Sequence, residues 1–364
     1  MSVVTLPGKV PEQIIRLSDN ASGLRGFIIV HSTRLGPSAG GCRLWRYANG
    51  DDAFADALRL AEGMTFKNAL AGLPFGGGKA VIRTPSGPYD RAALLRAFGR
   101  AVNELHGRYV TAEDVGTSID DMRVVAAETD FVAGLPQMNG RAGGDPSYWT
   151  ARGVFLAMKV AVERRLGRDL CGVTVAVQGL GHVGWVLCQL LFAAGARLIV
   201  SDVRAEIAAK AKELFDAKII DASDIIHAPT DVFAPCALGG VLNAESTRTM
   251  QAKVVCGAAN NQLASAADAR LLADRDVLYA PDFLVNAGGM TNVAGEYLGW
   301  SQLQVRERVD LIGARLRQVL DVADAQQINP HKAAHAVAAA VIENDEQDGL
   351  CAKDADSPQL LSRA

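Results

Sequence analysis

Two lysines and one pair of carboxylates carry most of the chemical potential of this sequence. Lys67 stands in Met-Thr-Phe-Lys-Asn near the end of a helical pattern, and Lys79 follows three consecutive glycines. A glycine run costs conformational entropy, so it implies a backbone shape or a close approach that a side chain would block. A lysine held in such a cleft loses hydration and titrates low, which suits it to gripping a carboxylate or handling a proton. Either lysine alone reads more readily as a solvated surface residue. Glu113 and Asp114 lie in Thr-Ala-Glu-Asp-Val-Gly-Thr at the end of a short strand, where loops gather function. A helix cap before Ile119 accounts for the same pair equally well.

A second constellation is built on glycine. Residues 177–184 read Val-Gln-Gly-Leu-Gly-His-Val-Gly. Gly179, Gly181 and Gly184 thus form G-x-G-x-x-G between a predicted strand and a predicted helix, the setting in which the pattern holds a dinucleotide. Gly179 permits the turn, Gly181 lets the backbone approach a pyrophosphate, and Gly184 lets helix and strand pack. Leu180, His182 and Val183 complete the fingerprint and count with it as cofactor contacts, although a solvated side chain is expected for His182. The helix N-terminus adds free N–H groups and the positive end of the dipole. Asp202 ends the next strand, 18 positions past Gly184. It can accept from both ribose hydroxyls and would repel a 2′-phosphate, which favours NAD over NADP; Arg204 beside it pulls the other way.

The elements that must position these groups follow from periodicity. Residues 26–31 read as a strand, 51–70 as an amphipathic helix, then a glycine-rich turn leads to a strand at 80–82. A helix over 89–106 and a strand at 109–111 complete a mixed α and β region. The breakers clustered at 134–148 mark a hinge, after which Thr150 could cap a helix over 151–165. From 173 the pattern alternates: strand 173–177, helix 182–194, strand 198–200, helix 204–215, and apolar runs at 232–234, 254–256 and 277–280. Strands alternating with helices imply a parallel sheet covered on both faces. Helices are expected at 303–324 and 330–343, followed by a polar, frayed tail. The fold class is therefore α/β, a mixed N-terminal domain beside a doubly wound Rossmann-type domain.

Composition sets the outer limits. The 364 residues suffice for two cores, and 49% hydrophobic against 21% charged is a globular balance. A net charge of −3 offers no field for nucleic acid or an anionic membrane. No secretory leader and no membrane-length apolar stretch are read. The cysteines at 42, 171, 188, 236, 256 and 351 form no CxxC pair, so free thiols in a reducing cytoplasm are expected rather than zinc or disulfides. His331 and His335 have helical ligand spacing without a third ligand, so a solvated face and no metal are expected. Trp45, Trp149, Trp185 and Trp300 are read as packing residues.

Together the motifs resemble the glutamate, leucine, phenylalanine and valine dehydrogenase family, within it the leucine/phenylalanine branch. The matching stretches are 35–43 (Leu-Gly-Pro-Ser-Ala-Gly-Gly-Cys-Arg), 63–69, 76–82, 111–117, 179–184, 234–240, 257–261 (Gly-Ala-Ala-Asn-Asn) and 280–289. They occur in family order over most of the chain. The resemblance implies that Lys67 holds the substrate carboxylate, Lys79 polarises the developing carbinolamine oxygen and activates water, and Asp114 exchanges protons with the amino group. It places Gly40 and Gly41 along the substrate cleft and Asn261 near substrate and nicotinamide. Arg43, Ser147, Thr150, Ala237, Ala258, Asn260 and Asn286 become cofactor contacts. The implied domains are a substrate and oligomerisation domain at 1–145, a Rossmann NAD-binding domain at 146–327, and a C-terminal helix, 328–364, packing back on the first. The implied reaction is reversible, NAD-dependent deamination of an L-amino acid to its 2-oxo acid and ammonia, in a homo-oligomer. Two lysines close together would depress each other's pKa, with Asp114 compensating part of the charge.

Specificity rests on fewer residues. In the glutamate members a lysine precedes the Gly-Gly pair; here Ala39 stands there, and a buried substrate carboxylate would lack a partner. Ala39 and Leu298–Ser301 resemble the phenylalanine enzymes, while Ala112 and its stretch resemble leucine dehydrogenase. Met290 and Val293 are further pocket candidates. Phenylalanine or another aromatic is expected first, with leucine and valine next. The rivals are a glutamate dehydrogenase and a non-catalytic NAD-binding regulator on the same scaffold. The regulator would have lost the lysines or Asp114, and this chain keeps them all.

Overall fold

The computed structural model describes residues 11–136 and 140–349. The chain builds two sheets in succession. The first contains β1 (Gln13–Asp19), β2 (Leu24–Ser32), β3 (Ser38–Trp45), β4 (Gly76–Arg83) and β5 (Tyr109–Glu113), in the order β1-β2-β4-β3-β5. β1 and β2 form an antiparallel hairpin, β2 pairs antiparallel with β4, and β3 runs parallel to both β4 and β5. Helices α1 (Gly50–Leu70), α2 (Arg91–Asn103) and α3 (Ile119–Ala126) cover it. Asn49 caps α1 by accepting from Asp52 N, and acidic residues in the first turn with Lys67 in the last suit the helix dipole.

The second sheet is wholly parallel: β6 (Thr174–Gln178), β7 (Arg197–Ser201), β8 (Lys218–Ile219), β9 (Val232–Pro235), β10 (Val254–Val255) and β11 (Leu278–Tyr279), ordered β11-β10-β9-β6-β7-β8. Its helices are α4 (Ser147–Leu166), α5 (His182–Ala193), α6 (Ala205–Phe215), α7 (Ala244–Thr249), α8 (Asp268–Asp274) and α9 (Asp282–Val285). α10 (Gly288–Tyr297), α11 (Gln302–Asp310), α12 (Ile312–Gln326) and α13 (Pro330–Gly349) follow. The doubly wound α/β class is as expected. Two cores fill the faces of the second sheet, one of them joining α4 and α12 to Ala333, Ala334 and Ala338 of α13 and to Ala69 and Leu70 of α1. The C-terminal helix thus returns to the first half.

Several local expectations need correction. The glycine triplet is the start of β4, not a turn, and β1 and β3 carry no strand signal read from the sequence. The helix expected at 303–324 breaks at Leu311. The last helix runs beyond Glu343 to Gly349, and the tail at 350–364 lies outside the described residues, as do residues 1–10 and Cys351. α4 begins at Ser147, so Thr150 is inside its first turn, donating to Pro146 O at 3.1 Å, and does not cap it. Trp45 is 52% exposed. His331 and His335 are half-buried in an aromatic stack with Phe283, Phe66 and Tyr279 rather than solvated. Of the expected hinge, 137–139 is outside the described residues, and the flanks are tied down: Ala142 N donates to Trp300 O and Gly143 N to Asn292 Oδ1. Among the described residues no helix is long and apolar enough to cross a membrane.

Candidate active site

The first sheet brings the chemical residues together. Lys79, 5% exposed, sits inside β4. Asp114 follows β5, and its Oδ2 accepts from Lys79 Nζ at 2.8 Å and from Arg43 Nε at 3.0 Å. Arg43 also reaches Asp56 Oδ2 at 3.0 Å, an oxygen that accepts from the Tyr47 hydroxyl at 2.6 Å. Burial acts to raise the Asp114 carboxyl, but Lys79 and Arg43 outweigh it and hold it below the usual carboxylate range. Arg43, expected at the cofactor, has its guanidinium committed to two carboxylates of the first half. The helix-cap alternative for Asp114 does not hold, because Ser118 caps α3 in a capping box with Asp121.

The spacing of the two lysines is set by backbone contact. A Cβ on Gly77 would stand 2.1 Å from Thr65 Oγ1 and 2.2 Å from Thr65 N, so only glycine lets α1 lie this close to β4. Asn68 strengthens the seam by donating to Gly76 O at 2.6 Å. Lys67 therefore emerges beside Lys79, and its Nζ donates across the cleft to Asn260 Oδ1 at 3.3 Å. Lost hydration pushes Lys67 down to about 8, with Lys79 adding to the fall and Asp282 opposing it. Asn260 and Asn261 are both exposed, and it is Asn260 that makes this contact. Gly40 and Gly41 pair with Thr111 and Ala112 between β3 and β5.

An apolar cluster spans the two halves next to these polar groups. Ala39, Ala71, Leu73, Phe75 and Val110 meet Ala287 and Ala294, with Met290, Tyr297 and Trp300 packed against them. Val293 is half-buried on the same helix as Met290. The sequence gives no sign of the network of Asp56, Tyr47 and Arg43, since its members touch only through the fold.

In the second half the fingerprint has the expected form. Gly179 adopts φ 94°, and a Cβ there would stand 2.7 Å from Ala237 Cβ. A Cβ on Gly184 would strike Gly179 O, whereas Gly181 faces open space. Asp202 accepts from Leu180 N at 2.7 Å and from Arg204 N and Nε at 2.9 and 3.0 Å. The side-chain bond from Arg204 leads the causes that hold this carboxyl at about 2. A cleft of about 540 Å³ opens here, lined among others by Ser147, Leu180, Gly181, His182 and Arg204. The His182 side chain is 86% exposed, while Val183 packs on the core. Asn286 donates to Ala258 O at 3.1 Å and Asn260 Oδ1 at 2.8 Å, yet its own buried Oδ1 has no partner among the described residues. Open space at the helix start, a carboxylate at the second strand and an unmatched buried acceptor fit a dinucleotide.

Comparisons with known proteins agree with this geometry. The family model for the Glu/Leu/Phe/Val dehydrogenase dimerisation domain matches residues 11–131, and that for Glutamate/Leucine/Phenylalanine/Valine dehydrogenase matches 144–218 and 200–349. Leucine dehydrogenase of Geobacillus stearothermophilus is 43% identical over 91% of this chain and 90% of its own length. Valine dehydrogenase of Streptomyces albus is 47% identical over 79% of this chain and 80% of its own. The crystal structure of L-tryptophan dehydrogenase from Nostoc punctiforme superposes with a TM-score of 0.83 at 39% identity, covering 93% of this chain and 97% of that one.

Proposed function

The chain belongs to the Glu/Leu/Phe/Val dehydrogenase family and is an amino-acid dehydrogenase, and from that premise we propose that it reversibly deaminates apolar L-amino acids, phenylalanine and other aromatics first, leucine and valine next, with NAD. The observation that carries the reading is the triad of Lys67, Lys79 and Asp114 beside an all-apolar cluster. Lys67 grips the substrate carboxylate. The cluster around Ala39 and Met290 takes the side chain, and among the described residues it contains no cationic group to pair with a glutamate carboxylate. Asp114, kept ionised by its two cations, removes a proton from the substrate ammonium and returns it later. Lys79 stabilises the oxygen that develops when water adds to the imine. Bound NAD supplies the oxidant for the Cα–H bond, held by the 179–184 turn, by Asp202 at the ribose, and by Asn260 and Asn286 near the nicotinamide.

We assign residues 1–145 to substrate binding and oligomerisation, 146–327 to the dinucleotide, and the stretch from 328, described as far as 349, to the return onto the first half; 1–10, 137–139 and 350–364 lie outside the described residues. The relatives named leucine, valine and tryptophan dehydrogenase support an apolar substrate, and the dimerisation description of the N-terminal match supports a homo-oligomer. Buried free thiols at Cys42, Cys188 and Cys256 suit a cytoplasmic setting. The test is NADH formation at alkaline pH with L-phenylalanine, L-tryptophan, L-leucine, L-valine and L-glutamate. Turnover of the apolar substrates, with Lys79→Ala lowering kcat by about 100- to 1,000-fold, is expected. Turnover of glutamate alone, or an unimpaired Lys79→Ala enzyme, overturns the reading.

A further inference from the structure

The segment that leaves the first sheet is tied to a helix of the second half by one carboxylate. Thr111 N donates to Phe131 O and Ala133 N to Thr111 O, so residues 131–133 lie along the edge of β5. The next two backbone N–H groups turn to α10: Gly134 N donates to Glu296 Oε2 at 2.7 Å, and Leu135 N to Glu296 Oε1 and Oε2 at 3.1 and 3.2 Å. Gly134 also borders Ala112, for a Cβ on it would stand 3.9 Å from Ala112 Cβ. Glu296 shares α10 with Met290 and with Ala294 and Tyr297, members of the apolar cluster whose other wall is Ala39, Phe75 and Val110. One charged acceptor therefore ties α10, which carries one wall, to the segment running beside β5, which carries Val110 of the other. Charge-assisted bonds to two adjacent N–H groups hold geometry more tightly than a neutral contact.

We propose that Glu296 is a positioning residue that fixes the separation of the two apolar walls and so sets which substrate side chains are accepted. This rests on the reading of that cluster as the substrate pocket. Glu296 touches no reacting atom; it acts by holding Gly134 and Leu135, and through the segment they end, the β5 strand that carries Val110, at a set distance from Met290. Glutamine keeps one acceptor oxygen and loses the charge. Aspartate keeps the charge and loses a methylene of reach. Alanine loses both.

The experiment measures kcat and KM for L-valine, L-leucine, L-phenylalanine and L-tryptophan in the wild-type enzyme and in Glu296→Gln, Glu296→Asp and Glu296→Ala, with thermal unfolding alongside. The expected result is a change in ranking. KM for the smaller substrates rises while their kcat at saturation is largely kept, and the ratio of kcat/KM for tryptophan over valine rises by about tenfold in Glu296→Ala and Glu296→Asp, less in Glu296→Gln. A uniform fall across all substrates, with the ratio unmoved and only Tm lowered, overturns the inference and leaves Glu296 a structural tie. A wild-type enzyme that turns over no apolar amino acid overturns the functional reading, and this inference with it. Wild-type activity on the panel with an unmoved ratio overturns this inference alone.

Discussion

At the scale of single residues, the site is an arrangement of charges whose titration can be followed. Lys67 at about 8 is protonated below that pH and neutral above it. Binding of a carboxylate that lacks an amino group, such as 3-phenylpropionate, is therefore expected to weaken as pH rises through about 8, approaching tenfold per unit beyond it. Calorimetric titration across that range checks this, and Lys67→Arg should flatten the profile because arginine stays charged. Asp202 offers a second test. Its carboxylate serves Leu180 N as well as the ribose position assigned to it, so Asp202→Asn should lower kcat/KM for NAD by roughly 10- to 100-fold while lowering that for NADP much less. Parallel steady-state kinetics with both cofactors decide it, and an equal loss with both would remove Asp202 from ribose recognition.

At the scale of elements, the C-terminal helix is docked through two histidines. Burial, with His335 beside it, depresses His331 to about 4. The unfolded chain takes up a proton there near the ordinary value of 6.5, so the contribution is whole above that pH and falls away as pH drops towards 4, by up to about 3 kcal/mol. Replacing His331 with phenylalanine keeps the aromatic stack and removes the unpartnered Nδ1. His331→Phe should therefore raise Tm, more at pH near 5 than at pH near 7, in thermal unfolding of both proteins. An equal Tm difference at both values would count against the burial argument. This element also shows what sequence patterning conveys and what it does not. The alternation from Val173 onward and the spacing of Gly179, Gly181, Gly184 and Asp202 are local signals, and the structure follows them closely. The strand at Gly76–Gly78 is not legible, because glycine locally signals a turn while the reason for it, Thr65 on α1, is supplied by packing. His331 on its aromatic neighbours and Glu296 on Gly134 pair residues from distant parts of the chain, and neither member carries a mark of its partner. The chemical residues were recognisable as a set of motifs; their mutual contacts were not.

At the scale of the whole molecule, β1 is an edge strand of the first sheet among the described residues, with Ile14 41% exposed, and a strand edge with unpaired backbone groups invites a second chain. The protein is expected to sediment as a multiple of its 38.4 kDa chain mass; a monomer at micromolar concentration in analytical ultracentrifugation would contradict the proposed homo-oligomer.

The seam between Gly77 and Thr65 has a further consequence. Lys67 lies two residues beyond Thr65 and Lys79 two beyond Gly77, so the distance between the two lysines, the proposed grip on the substrate and the proposed catalytic group, is locked by the close approach of α1 to β4. One wall of the proposed side-chain pocket, Met290 and Ala294, hangs instead on a helix of the other half. On the proposed reading the molecule is a fixed jig with exchangeable tooling: altering Met290, Val293 or the tie at Glu296 is expected to retool the enzyme for a new side chain without disturbing the jig. Selection, or an engineer, can change what is deaminated while leaving untouched how deamination is done.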